Sequence, residues 1–171
     1  AGYGAALDRL TQELLRLMRT EKVLAIWMFD ESASMKDDQE DLKGRLHRVY
    51  EELKLVQEDA EKLNKRRRVS SKDSDILLSA VTSFGAGFHV HTPKPTSDPR
   101  QIMQAIDRIP IDRTGKENMC TAIQAAMKKY GKMARGRKVA VIVVSDESGD
   151  DGDPFLPPAA DQLENALAVL K

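Results

Sequence analysis

Apolar positions along the chain follow two rhythms. From Ala5 to Thr20, Leu7, Leu10, Leu14, Leu17 and Met18 recur at helical spacing and predict an amphipathic leading helix. Val23 to Phe29 has no polar break, as expected of a short strand buried on both faces. Leu42, Leu46, Val49, Tyr50, Leu53 and Val56 return to the helical period and predict a long helix, with Asp37 or Asp38 as its N-cap. "NKRRRVSSKDSD", Asn64 to Asp75, reads as a polar loop. "LLSAVTSFGAGFHVHT", Leu77 to Thr92, reads as two strands joined by a glycine turn. Asp98-Pro99 opens another helix, with Ile102, Met103, Ile106 and Ile109 on one face. Ala122, Ile123, Ala126, Met127 and Tyr130 mark a further helix, closed by Gly131. Val139 to Val144 is a second fully apolar run. Leu163, Ala166, Leu167 and Leu170 begin a last amphipathic helix after Pro157-Pro158.

Strands alternating with helices imply an α/β fold: a mostly parallel sheet, one antiparallel edge strand from the glycine hairpin, and helices on both faces. A length of 171 residues is that of one domain, and 41% apolar residues can supply its core. Charged residues make up 32%, but Lys+Arg and Asp+Glu are equal at 27 each. A net charge of zero gives no case for nucleic acid or a membrane surface as partner. No apolar run reaches the roughly 18 residues of a membrane span. Cys120 is the single cysteine, which rules out an intrachain disulfide and reads as an inert, half-buried thiol.

The chemistry concentrates where both apolar runs end. The first runs straight into Asp30, followed by Ser32 and Ser34 at alternate positions in "DESAS"; the second runs into "SDESGDDGD", headed by Asp146. Ligands of open α/β sheets bind beyond the carboxyl ends of the strands. If the two strands are neighbours, their ends lie about 5 Å apart, and two carboxylates that close repel unless a cation lies between them. In an extended turn Ser32 and Ser34 project the same way as Asp30. Hard oxygen ligands at this spacing suit Mg²⁺, Mn²⁺ or Ca²⁺ rather than zinc. A plain turn or N-cap is the competing reading of Asp30 and its serines. Asp150, Asp151 and Asp153 read as a solvated acidic turn. His89 and His91 share a strand face at ligand-like spacing, but no partner Cys or Asp is evident, so a structural or surface role is expected of them.

"DESAS" after an apolar strand resembles the Asp-x-Ser-x-Ser signature of von Willebrand factor A domains, the first loop of their metal-ion-dependent adhesion site. The resemblance runs from Val23 to Lys171, with a second loop before the helix of "NMCTAIQAA" and a third at the end of "VAVIVVSD". A leading helix of the type "ALDRLTQELL", with "GxEN" and "SDExGDD", is similar to a bacterial subgroup of such proteins. The resemblance implies a three-layer Rossmann-like fold in a single domain over 1–171, with the leading helix in 1–20 and the core in 21–171. Family members usually continue into further strands after the helix "LENALAVLK", so the core is expected to be truncated at its C-terminus, leaving the 139–144 strand at an edge.

By the same resemblance Asp30, Ser32 and Ser34 supply the first metal loop and Asp146 the third. The second loop departs from the usual Gly-Gly-Thr pattern: Glu117 stands where a metal-binding threonine is common. One divalent cation, Mg²⁺, Mn²⁺ or Ca²⁺, is the implied cofactor. A protein partner, engaged through a carboxylate at the metal, is the implied ligand; a homodimer through the 139–144 edge is a further expectation, the alternatives being that the terminal helix folds over that edge or that the leading helix of Ala5 to Thr20 takes the space of the missing elements. Glu117 adds a third negative charge and could itself fill the place of that outside carboxylate. The compartment expected of the parent protein is extracytoplasmic or membrane-tethered. No enzymatic activity is expected. Haloacid-dehalogenase-type phosphatases carry Asp-x-Asp where this chain has Asp30 and Ser32, and Gly-x-Ser-x-Gly is absent. A phosphatase-like metal-dependent hydrolase and a scaffold that no longer binds metal are the alternatives.

Overall fold

The computed structural model of the chain describes residues 3–66 and 75–146. The elements run α1 (Tyr3–Met18), β1 (Val23–Asp30), a 3₁₀ turn (Ala33–Met35), α2 (Lys36–Arg66), β2 (Leu77–Phe84), β3 (Phe88–Val90), α3 (Pro99–Ile106), α4 (Met119–Tyr130) and β4 (Lys138–Val144). The strands form one sheet in the order β3-β2-β1-β4. β1 pairs in parallel with β2 and with β4, and β3 pairs antiparallel with β2. The fold is thus the expected α/β arrangement with one antiparallel edge strand.

β1 is central and buried along its whole length, so its alternate residues feed two cores. Val23, Ala25, Trp27 and Phe29 pack with Leu7 and Leu14 of α1, Leu42, Leu46 and Leu53 of α2, and Ile102 of α3. Leu24, Ile26 and Met28 pack with Cys120, Ile123, Ala126 and Tyr130 of α4. Helices therefore cover both faces. Buried polar side chains are spent on holding the layers together: Trp27 Nε1 donates to Tyr50 Oη at 2.6 Å, and Tyr50 Oη donates to Ser79 Oγ at 2.6 Å. On the other face Tyr130 Oη donates to the Thr92 carbonyl at 2.6 Å.

Several local expectations are corrected. α2 starts at Lys36, directly after the 3₁₀ turn, so Asp37 and Asp38 lie in its first turn instead of capping it. It also runs on to Arg66, three residues into the expected polar loop; of the remainder, 67–74 lie outside the described residues. Gly131 ends α4 in a right-handed conformation (φ −54°), because the chain continues in tight turns, with Met133 and Ala134 N–H both donating to the Tyr130 carbonyl. The left-handed glycine of this connection is Gly136 (φ 75°), which leads the chain into β4. Cys120 is fully buried rather than half-buried, since it sits in the first turn of α4 against the sheet. Asp98 does cap α3, its Oδ1 accepting from Arg100 N–H at 2.9 Å. The last helix expected from Leu163 and the acidic turn of Asp150, Asp151 and Asp153 lie outside the described residues. Among the described residues no helix is long and apolar enough to cross a membrane.

Candidate functional site

The parallel pairing brings the carboxyl ends of β1, β2 and β4 to one side of the molecule. Phe29 pairs with Val144, so the next residues along, Asp30 and Ser145, stand side by side. Asp30 is fully buried. Its Oδ2 accepts from Ser145 Oγ at 2.7 Å, and its Oδ1 from the Ser32 backbone N–H at 2.7 Å. Gln39 Nε2, from α2, donates to the Asp30 carbonyl at 2.8 Å. The strand-end acid is thereby locked on three sides. Past it the chain turns through the 3₁₀ segment, with Met35 N–H donating to the Ser32 carbonyl, and this turn sets Ser32 Oγ and Ser34 Oγ 3.0 Å apart.

That separation bears on what the hydroxyls can hold. Two oxygens at right angles on a cation with metal–oxygen distances of about 2.1 Å stand roughly 3.0 Å apart. The donors are hard: one carboxylate with spare lone pairs and two alcohols, with no thiol or imidazole. They fit a cation of the Mg²⁺ or Mn²⁺ kind. Among the described residues no three His, Cys, Asp or Glu side chains gather into a ligand set, so a cation here must draw on the serines.

The structure joins Asp30, Ser32 and Ser34 through hydrogen bonds. Asp146, the last residue described at the end of β4, is exposed, one position beyond the Ser145 that reaches Asp30. Glu117 is half-buried in the loop before α4. That loop is tied to the same end of the sheet: Asn118 N–H donates to the Gly85 carbonyl at 3.2 Å, and Asn118 Nδ2 to the Ala86 carbonyl at 3.1 Å.

Three residues at this end were not anticipated. Ser145 was passed over for Asp146, and only the register of β4 against β1 separates them. Asp112 comes from the loop after α3; its backbone N–H donates to the Glu31 carbonyl at 2.7 Å, and it bridges to Ser32 as a short parallel pairing. Its carboxylate accepts from Ala86 N–H at 2.6 Å and Thr114 N–H at 2.7 Å. These bonds, that of Ala86 foremost, hold its carboxyl below the ordinary aspartate value. The third is Glu31. It supplies the acidic partner that His89 seemed to lack: its Oε1 accepts from His89 Nδ1 at 2.6 Å. Asp30, the last residue of β1, reaches Ser145 beyond β4, while Glu31, one residue past the strand, reaches Ser83 and His89 of the β2–β3 hairpin.

The family model described as von Willebrand factor type A domain matches residues 25–149. No curated protein matches the chain. Among solved structures, the three N-terminal domains of the type V pili tip protein Mfa5 from Porphyromonas gingivalis are similar over 74% of this chain and 20% of that one. The identity is 15% and the TM-score 0.50. The vWF domain of the same protein is similar over 75% of this chain and 38% of that one, with 16% identity and a TM-score of 0.48. The likeness to the three-domain structure is one of fold.

Proposed function

Since the chain belongs to the von Willebrand factor type A domain family, we propose that it is a protein-interaction module whose contact point is a divalent cation. Asp30, Ser32 and Ser34 hold the ion, and Glu117 and Asp146 complete its surroundings. The observation that carries this reading is the pair of hydroxyls, 3.0 Å apart, beside a buried carboxylate locked at the end of the central strand. When bound, the cation supplies a positive point charge able to take a carboxylate from a partner. Glu117 tunes that step. As an acid in place of the usual neutral threonine it strengthens the hold on the ion and competes with an outside carboxylate for it. Binding, not turnover, is the proposed role.

The partner is a protein offering a carboxylate, and a second copy of the chain docking on the β4 edge is a separate contact. Calorimetric titration of Mg²⁺, Mn²⁺ and Ca²⁺ into metal-stripped protein tests the reading. One site is expected in the wild type and none in Asp30→Ala. Equal heats in the two proteins, or none in the wild type, would overturn it. Glu117→Thr is expected to bind the cation more weakly and to gain affinity for an acidic peptide in its presence.

A further inference from the structure

The residue between the two inner ligands of the proposed cation loop is itself pinned at four points. Glu31 N–H donates to the Phe84 carbonyl at 2.9 Å, and its carbonyl accepts from Asp112 N–H at 2.7 Å. Its side chain is 2% exposed, and its Oε1 accepts from Ser83 Oγ at 2.5 Å and His89 Nδ1 at 2.6 Å. Ser83 Oγ also lies 2.6 Å from His91 Nε2. A hydroxyl carries one proton. Given to Glu31, it leaves Ser83 able only to accept, so the His91 proton sits on Nε2. Burial, followed by the charges of His89 and Arg108, holds His91 below its ordinary value, consistent with a neutral ring. The donors therefore run one way, from His91 through Ser83 to Glu31, and meet a second donor from His89 there.

Burying a carboxylate is costly unless donors satisfy it. Here three elements, β2, β3 and the loop carrying Asp112, converge on one acid. Its effect falls on its neighbours. With Glu31 fixed, the peptide joining it to Ser32 cannot rotate, and that peptide carries the N–H that locks Asp30. We infer that Glu31 is a positioning residue for the cation loop: anchored by His89 and Ser83 on the hairpin, it holds Ser32 where its hydroxyl meets that of Ser34. The inference rests on the cation reading above.

The negative charge of Glu31 would also attract a cation from a distance, so a test must separate anchoring from charge. His89→Ala keeps the charge and removes the anchor. Anchoring then weakens Mn²⁺ binding, by about tenfold or more as outer partners of ligands typically do. Charge alone leaves it equal or tighter. His89→Asn replaces the ring Nδ1–H with an amide N–H at nearly the same place and is expected to restore most of the affinity.

The experiment is calorimetric titration of Mn²⁺ into the full chain as wild type, Asp30→Ala, His89→Ala and His89→Asn, with amide hydrogen exchange of Ser32 measured in chelator. Loss of binding in Asp30→Ala, weaker binding and faster Ser32 exchange in His89→Ala, and recovery in His89→Asn are the expected results. Binding in His89→Ala equal to wild type, while Asp30→Ala abolishes it, would overturn the positioning role and spare the cation reading. Binding indifferent to Asp30→Ala would overturn the cation reading; the positioning of Ser32 then stands or falls on its exchange rate in chelator. Should His89→Ala fail to fold, Ser83→Ala removes the other anchor and is judged by the same criteria.

Discussion

Ser145 Oγ donates a 2.7 Å hydrogen bond to Asp30 Oδ2 across 115 positions of sequence. The two residues close the ladder between β1 and β4, one step past the Phe29–Val144 pair. The bond fixes the direction of the Asp30 carboxylate. A serine is suited to this place because it satisfies a buried oxygen without adding a second charge.

Removing that hydroxyl is expected to destabilise the protein. Ser145→Ala leaves a fully buried carboxylate oxygen short of a donor, at a cost of about 1–3 kcal/mol. Urea unfolding followed by far-ultraviolet circular dichroism measures it. A change under about 0.5 kcal/mol, the range of an ordinary surface substitution, would mean that Ser145 does not hold Asp30.

Gly85 and Asp112 are coupled by space. A Cβ built on Gly85 meets the Asp112 side chain at Oδ2, Cβ and Cγ, and that side chain is held by Ala86 and Thr114 N–H. Gly85→Ala is expected to cost about 1–3 kcal/mol through overpacking. In an Asp112→Gly background, which removes all three of those atoms, the same change should cost markedly less, an interaction energy of at least ~0.5 kcal/mol in a double-mutant cycle. Additive effects would show that the two residues do not compete for the same volume.

Much of this arrangement was readable from residue order, and the limits have physical causes. β1 follows from an unbroken apolar run, the mark of a strand buried on both faces, and the hairpin from a glycine turn between two strand-like runs. Asp30 and its serines stood out because an acid directly after such a run must find partners. The start of α2 was misplaced because Asp37 and Asp38 have capping chemistry, while the tertiary bond from Gln39 to the Asp30 carbonyl ties the helix down earlier. Ser145 and Asp112 were missed for a shared reason. Their roles depend on strand register and on a loop packed against a distant turn, neither of which leaves a periodic trace. His89 and Glu31 lie 58 positions apart; their pairing exists only because β3 folds back on β2.

Among the described residues β4 is an edge strand, with Val139, Val141 and Val143 only partly buried against the core of α4. An apolar edge without an interior charge or proline is a template for pairing. The isolated chain is expected to dimerise reversibly. Val141→Lys, which places a charge on that edge, should raise the dimer dissociation constant by about tenfold or more, equal to 1.4 kcal/mol. Light scattering over a concentration series decides the matter. A wild-type monomer up to the highest soluble concentration would sink the edge-pairing proposal.

Tyr50 sets the response to alkali. Its hydroxyl accepts from Trp27 and donates to Ser79 inside the core between α2 and the sheet. Burial pushes its ionisation up to about 12 from an ordinary value of 10.0, against the smaller opposing pull of the bonds with Ser79 and Trp27. A phenol whose folded value is raised keeps its proton in the native state while the unfolded chain has begun to lose it. Its contribution to stability is therefore fully present below about pH 10 and is lost as pH rises from 10 to 12. Two units correspond to roughly 3 kcal/mol. Unfolding free energies measured from pH 8 to 12 should fall along this window in the wild type. Tyr50→Phe should start lower by about 1–3 kcal/mol, because Trp27 Nε1 and Ser79 lose a buried partner. Its curve should then descend less steeply between pH 10 and 12, the remaining slope coming from groups such as Tyr130, whose value burial also raises. Parallel curves for the two proteins would show that Tyr50 does not govern the alkaline limit.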